Sequence, residues 1–356
     1  MLYVLRKTLF LVVLYSSLIS AVSANEISPQ VVVLQYHHVA TNTPAITSVT
    51  PDTFRQHMQY LSEHHSVISL QTALDAIQQN KPIPKNAVAI TFDDGYTNIL
   101  ENAHPILQDF DFPYTIFINP QSISSQSDQL TWDEVISMQP LADFANHTLD
   151  HIHLLERINN ETEAQWLSRV MNNILQAELI LKQKLGYSHR WLAYPFGEFN
   201  QALQSALLDA DFIGFGQQSG VVSTHSNYGA LPRFPSSGRY ANLETLKVKM
   251  KSIAMPIEAV SPSQNEQALG AELEELELKL LMPNEDLRLE AMACFFAGER
   301  IIPQIDGSSA TIELNHTFKP GRTRVNCTAP SRSQSGRFYW NSVPFFTPTK
   351  EGKFLD

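Results

Sequence analysis

Between residues 30 and 250 the chain alternates short apolar runs with stretches of helical period. Runs at 31–36, 67–70, 87–92, 114–118, 143–145, 191–194 and 213–215, with a shorter one near Leu231, read as strands. Most carry apolar residues at consecutive positions, so both faces need cover, as in a parallel sheet. Stretches at 53–64, 97–110, 161–185 and 200–210 have helical period, and several open on a Ser, Thr, Asn or Asp cap. The alternation predicts a barrel-like α/β domain whose chemistry collects at the C-terminal ends of its strands.

Beyond residue 250 the texture changes. Met255-Pro256, Ser261-Pro262-Ser263 and the polar stretch 264–267 read as a linker over 256–270. Leu276, Leu278 and Leu280 then alternate with Glu277 and Lys279, as do Leu287 and Leu289 with Arg288 and Glu290, and Ile312 and Leu314 with Glu313. That is the period of half-buried strands, and it predicts a small all-β sandwich over 271–356. The stretch 272–281 is also rich in helix formers, so a helix there stays open. Phe338, Tyr339, Trp340, Phe345 and Phe346 are assigned to the sandwich core, with sugar stacking as a second role.

Composition narrows the class. The chain has 356 residues, 43% of them hydrophobic, and a formal charge of −11, with no basic run able to track a phosphate backbone. Nucleic acid is excluded as a partner. Arg6 and Lys7, an apolar stretch over 9–19 and then Val22-Ser23-Ala24 form a signal peptide over 1–24. The run is shorter than the roughly 20 residues that span a bilayer. An exported protein without a stable membrane anchor, periplasmic or secreted, is therefore expected, its first domain running over 25–255. Export also favours a disulfide between Cys294 and Cys327 over two free thiols.

Three segments carry candidate chemistry. Asp93-Asp94-Gly95 ends an apolar strand, where adjacent carboxylates either cap the next helix or need a metal or a proton to coexist. His147-Thr148-Leu149-Asp150-His151 follows a buried strand and brings two imidazoles onto one ion if the intervening turn is helical. Tyr194-Pro195-Phe196-Gly197 is a turn suited to a groove wall or to simple packing.

In this order, each at a strand end, the three segments resemble the polysaccharide deacetylase family with a NodB-type domain, also called carbohydrate esterase family 4. Tyr36-His37-His38-Val39, Thr131-Trp132-Asp133-Glu134 and Gly216-Gln217-Gln218-Ser219-Gly220 are further matches. The resemblance covers residues 30–250. It implies a distorted β/α barrel with fewer strands than the eightfold kind. It makes Asp93 the general base, and Asp94, His147 and His151 the ligands of one divalent ion, with zinc as the default. It makes the backbone N–H of Phe196 an oxyanion donor, with Tyr194 and Pro195 in support. Two His and one Asp leave coordination positions open for water and substrate, as a catalytic zinc site requires.

Two departures stand out. Ala193 occupies the place of the arginine that many members carry before the Pro-aromatic pair, and Arg233, in Leu231-Pro232-Arg233-Phe234, is the expected substitute at a solvent-facing strand end. No late Leu-x-His motif supplies a general acid, since His225 lies in a polar loop; His37 and His38 are read as supporting groups near the site. The expected activity is metal-dependent deacetylation of an N-acetylated amino-sugar polymer, with an N-acetylglucosamine exopolysaccharide favoured. An O-acetyl esterase of the xylan type and a non-catalytic sugar-binding barrel are the alternatives.

Overall fold

The computed structural model describes residues 28–158, 160–282 and 284–355. The expected leader lies outside the described residues. Among them, no helix is long and apolar enough to cross a membrane.

Six parallel strands follow one another around a curled sheet: Gln30–Tyr36, Ala87–Asp94, Tyr114–Ile118, Ala142–Asn146, Trp191–Ala193 and Ile213–Phe215. The segment after them bridges the gap back to the start. Leu231 pairs with Phe215, while Phe234 and Pro235 pair with Leu34 and Gln35. Pairing on both sides closes the sheet into a distorted barrel.

Side-chain alternation sorts these strands into two faces. Val32, Leu34, Val88, Ile90 and Phe92 pack outward with the helices Pro51–His64 and Trp132–Met138. Val31, Val33, Ala87 and Ala89 join Phe117, Ala145, Ala193, Phe215 and Leu231 in a second cluster, stoppered by Leu70, Ala73, Leu74 and Ile77. Gln35, Thr91 and Asp93 continue that second register at the C-terminal end of the barrel. All three are buried.

Some elements differ from expectation. The strand read at 67–70 is only Ser66–Val67, because Ser69 caps a helix that starts at Leu70. The helix read at 97–110 splits into a π-turn, Ile99–Ala103, and the helix His104–Asp109, at the point where Pro105 lacks an N–H.

The C-terminal region packs a five-stranded sheet on a four-stranded one. Glu272–Leu280 is a strand with Leu276, Leu278 and Leu280 buried, which settles the helix alternative. Ile257–Ser261, inside the stretch read as a linker, is a strand paired with Glu272–Leu280. The alternation at 287–290 leads instead into a short 3-10 turn, Leu289–Ala291. Cys294 and Cys327 are direct cross-strand partners and form the disulfide, which closes a loop of 33 residues.

The strand Phe338–Thr347 is buried on both sides. Tyr339, Val343 and Phe345 enter the sandwich core, whereas Trp340 meets Phe234 and Phe346 meets Phe199 of the barrel. The aromatics therefore divide between the two cores, and the second set welds the domains together.

His57, on the helix Pro51–His64, is fully buried between the Tyr36 hydroxyl at 3.0 Å and the Ala241 carbonyl at 2.8 Å. Burial pushes its imidazole down to about 4, against the pull of the Ala241 carbonyl. Its neutral form belongs to the folded state, so the associated stability is complete above pH 6.5 and drains away as pH falls from there towards 4. The loss should reach up to about 3 kcal/mol. In urea melts at pH 7 and pH 5, His57→Gln should narrow the difference in midpoint; parallel behaviour of variant and wild type would clear His57 as the titrating group.

Candidate active site

Asp93 and Asp94 close the strand Ala87–Asp94, where the extended backbone sends adjacent side chains to opposite sides. Asp94 then turns out of the strand with φ of 75°, and Gly95 follows at 80°. Glycine is required there on two counts, since any Cβ would also sit 2.8 Å from Ile118 Cγ2. The divergence keeps two anionic groups apart. Each acquires its own partners.

Asp93 is fully buried, and Arg233 grips it with both prongs: Nη1 donates to Oδ1 at 2.6 Å and Nη2 to Oδ2 at 2.9 Å. Gln35 Nε2 adds a bond to Oδ2 at 2.6 Å. Burial opposes ionisation of Asp93, but Arg233 overrides it and the carboxyl stays below its usual range. Arg233 was expected at a solvent-facing strand end, yet its side chain is 0% exposed. The reason is topological: it lies on the segment that closes the barrel, between Leu231 and Phe234, over the ring of Phe117.

Asp94, His147 and His151 form a second cluster whose ligand atoms lie within 4.8 Å of one another. Asp94 Oδ1 is 3.2 Å from His147 Nε2 and 3.3 Å from His151 Nε2. His147 Nδ1 lies 2.7 Å from the Ala193 carbonyl, a contact that places its proton on Nδ1 and leaves Nε2 a lone pair in the neutral ring. The buried Asp94 Oδ1 has no hydrogen-bond partner. An orphaned anionic oxygen facing a nitrogen lone pair lacks a cation, so the donor set fits a divalent ion, with Asp94, His147 and His151 as its holders.

The two histidines do not meet through a helical turn. Thr148 and His151 adopt φ of 69° and 58°, in the left-handed region that a β-branched residue such as Thr148 avoids. The loop is held by its neighbours instead. Asn119 Nδ2 donates to the carbonyls of His147 and Thr148, Asn146 Oδ1 accepts from the Thr148 N–H at 2.8 Å, and Thr148 Oγ1 accepts from the His151 N–H at 3.1 Å.

Pro195–Gly197 is a single 3-10 turn in which Phe196 has φ of 57°. The Phe196 ring is clamped between His151, edge-on with centroids at 4.6 Å, and His153, stacked at 3.8 Å. His153 Nδ1 in turn faces the buried Glu198, 3.1 Å from Oε2. Tyr194 points away into the core and donates to the Gly229 carbonyl at 2.6 Å, so it shapes the wall and does not face the cluster.

Of the two early histidines, His37 lies at the site, with Nε2 3.8 Å from Asp93 Oδ2, and burial pushes its imidazole down despite the nearby aspartates. His38 turns elsewhere, stacked on Tyr96 at 3.8 Å and tied to Asn98. Gln35, Asn119 and the pair His153–Glu198 were not anticipated. Only Gln35 had a visible signal: a single amide in an otherwise apolar strand that needs a partner once buried.

Residues 80–213 match the family model for polysaccharide deacetylase. The barrel thus carries a polysaccharide deacetylase domain. It is thereby a hydrolase acting on amide bonds. The matched span holds Asp93, Asp94, His147, His151 and Phe196; His37 and Arg233 lie outside it. Among similar proteins, the putative polysaccharide deacetylase YxkH of Bacillus subtilis is 26% identical over 207 residues, covering 56% of this chain and 69% of its own. A poly-β-1,6-N-acetyl-D-glucosamine N-deacetylase of Staphylococcus aureus is 28% identical over 196 residues, covering 52% and 67%. The fold is shared with Streptococcus pyogenes deacetylase PplD, at a TM-score of 0.56 and 22% identity, covering 63% of this chain and 99% of that one. IcaB from Ammonifex degensii follows at 0.54 and 19%, covering 63% and 98%.

The deacetylase barrel depends on the buried ion pair for more than chemistry. Arg233→Ala leaves Asp93 in a dry site without its counter-charge, which should lower stability by about 3 to 5 kcal/mol. Chemical denaturation of the purified variant measures this. A loss of no more than about 0.5 kcal/mol, the range of an ordinary surface substitution, would mean that Gln35 and His37 alone suffice for the carboxylate.

Proposed function

We propose that the deacetylase removes acetyl groups from an N-acetylglucosamine exopolysaccharide, using a divalent ion, with zinc as the first choice, held by Asp94, His147 and His151. The observation that carries this reading is the orphaned Asp94 oxygen facing two imidazoles, beside a separate carboxylate kept ionised by Arg233. A divalent ion in that place supplies Lewis acidity towards the acetyl carbonyl and the attacking water.

The chain's own groups supply the rest. Asp93, ionised and fixed by three hydrogen bonds, accepts the proton of the attacking water. The Phe196 N–H donates to the oxygen that becomes negative as the carbonyl carbon turns tetrahedral. Collapse breaks the carbon–nitrogen bond, and the amine leaves with a proton. Asp93, protonated by the attacking water, returns that proton to the amine, and His37, 3.8 Å from Asp93 Oδ2, lines the site beside it.

The substrate class rests on the relative named for poly-β-1,6-N-acetyl-D-glucosamine, taken with the Pro-aromatic-Gly turn that lacks a preceding arginine. We further propose that the protein works outside the cytoplasm, where such polymers lie, after removal of residues 1–24.

Metal analysis should find about one divalent ion per chain in the wild type, as three convergent ligands imply. His147→Ala and His151→Ala should lose most of it. Asp93→Asn should keep it, while acetate release falls by a factor on the order of 10² to 10⁴. The assay compares a β-1,6-linked N-acetylglucosamine oligomer with chitin oligomers and acetylated xylan. Full occupancy in either histidine variant would overturn the ligand set; release from xylan alone would make the protein an O-acetyl esterase; glycan binding without any release would make it a binding module.

A further inference from the structure

The turn that carries Phe196 is costly to hold. A non-glycine residue in the left-handed region costs on the order of 1 kcal/mol or more. Gly197 continues the turn at φ of 73°, pressed so closely on Gln217 that a Cβ would meet its side chain at 2.8 Å. The two histidine rings fix the Phe196 side chain, but its peptide needs an anchor of its own.

That anchor comes from the other domain. Arg322, on the sandwich strand Gly321–Pro330, donates through Nη1 to the Phe196 carbonyl at 2.6 Å and reaches Gln217 Oε1 at 3.5 Å. The two residues are 126 positions apart in the chain. Arg322 is exposed, and among the described residues it makes no ion-pair contact with a carboxylate, although its charge favours the ionised form of the buried Glu198; its direct hydrogen bonds go to the turn.

The grip extends on either side of the turn. Asn200, which caps the next helix, donates to Glu266 at 2.6 Å, and Phe199 packs edge-on against Phe346 at 5.4 Å. Beyond His151 and His153, Glu156 accepts from Lys353 Nζ at 2.7 Å and from the Phe354 N–H at 3.2 Å. The C-terminal region therefore holds both loops that frame the candidate site.

We propose that the C-terminal domain is a working part of the catalytic site, with Arg322 as a positioning residue that fixes the Phe196 peptide so that its N–H faces the acetyl oxygen. This rests on the reading of Phe196 as the oxyanion donor. Holding the carbonyl side of Phe196 restricts rotation of the peptide that follows, and with it the φ and ψ that aim the N–H. The domain then contributes to turnover without touching the sugar.

The test uses the full mature chain carrying Arg322→Ala or Arg322→Lys. Hydrogen exchange followed by mass spectrometry should show peptides over 194–200 exchanging several-fold faster in Arg322→Ala and partly restored in Arg322→Lys, while peptides over 87–94 and 272–280 stay as in wild type. Acetate release from an N-acetylglucosamine oligomer and hydrolysis of para-nitrophenyl acetate, which reaches only the acetyl pocket, should both lose kcat by about tenfold, with KM unchanged. Unaltered exchange at 194–200 overturns the proposal whatever the activity. So does a rise in KM for the oligomer with the small ester untouched, which would make Arg322 a glycan contact. Failure of wild type to hydrolyse either probe would instead sink the catalytic reading, and the exchange measurement would still judge Arg322.

Discussion

The ion pair between Arg233 and Asp93 ties the chemistry of this protein to the closure of its barrel. Removing two charges from water costs several kcal/mol per ion, so such a pair persists only with good geometry and with its remaining hydrogen-bonding capacity used. Here both prongs of the guanidinium meet the carboxylate, Gln35 takes a further position on the acceptor, and Arg233 Nε donates to the Gly216 carbonyl at 3.0 Å. The pair joins the closing segment to the second barrel strand. Barrel closure and assembly of the site are consequently one event.

Around this anchor the site separates two carboxylates that are neighbours in the chain. Strand alternation and the left-handed turn at Asp94 give one aspartate an arginine and the other a pair of imidazoles. Unfavourable backbone occurs at four residues of the site, Asp94, Thr148, His151 and Phe196. Each of these residues is held by contacts from elsewhere, including the Asn119 and Asn146 bonds to the histidine loop and the ring stack on Phe196. Strain of this kind survives only where surrounding structure over-determines it. The rigid barrel provides that setting, and the loops supply the groups.

The second domain belongs to the same argument. Its last strand presents one face to the sandwich core and the other to the barrel, so the two hydrophobic cores are joined through one element. An accessory module on a flexible tether would have no means of constraining the barrel loops. A welded one does, through Arg322, Glu266 and Lys353.

The α/β alternation, the strand ends and the motif residues Asp93, Asp94, His147, His151 and Phe196 were legible in the chain, because periodicity, turn chemistry and motif spacing are local properties. The π-turn at Ile99–Ala103 and the strand at Ile257–Ser261 were not, since one depends on how the chain adjusts before Pro105 and the other on a partner strand. Only the folded chain decided that Arg233, 140 residues from Asp93, would be buried against it, that His37 and not His38 would face the site, and that Arg322 would hold Phe196. The direction of a side chain on a closing strand or a loop is set by long-range pairing, which no local pattern of hydrophobic and polar residues encodes.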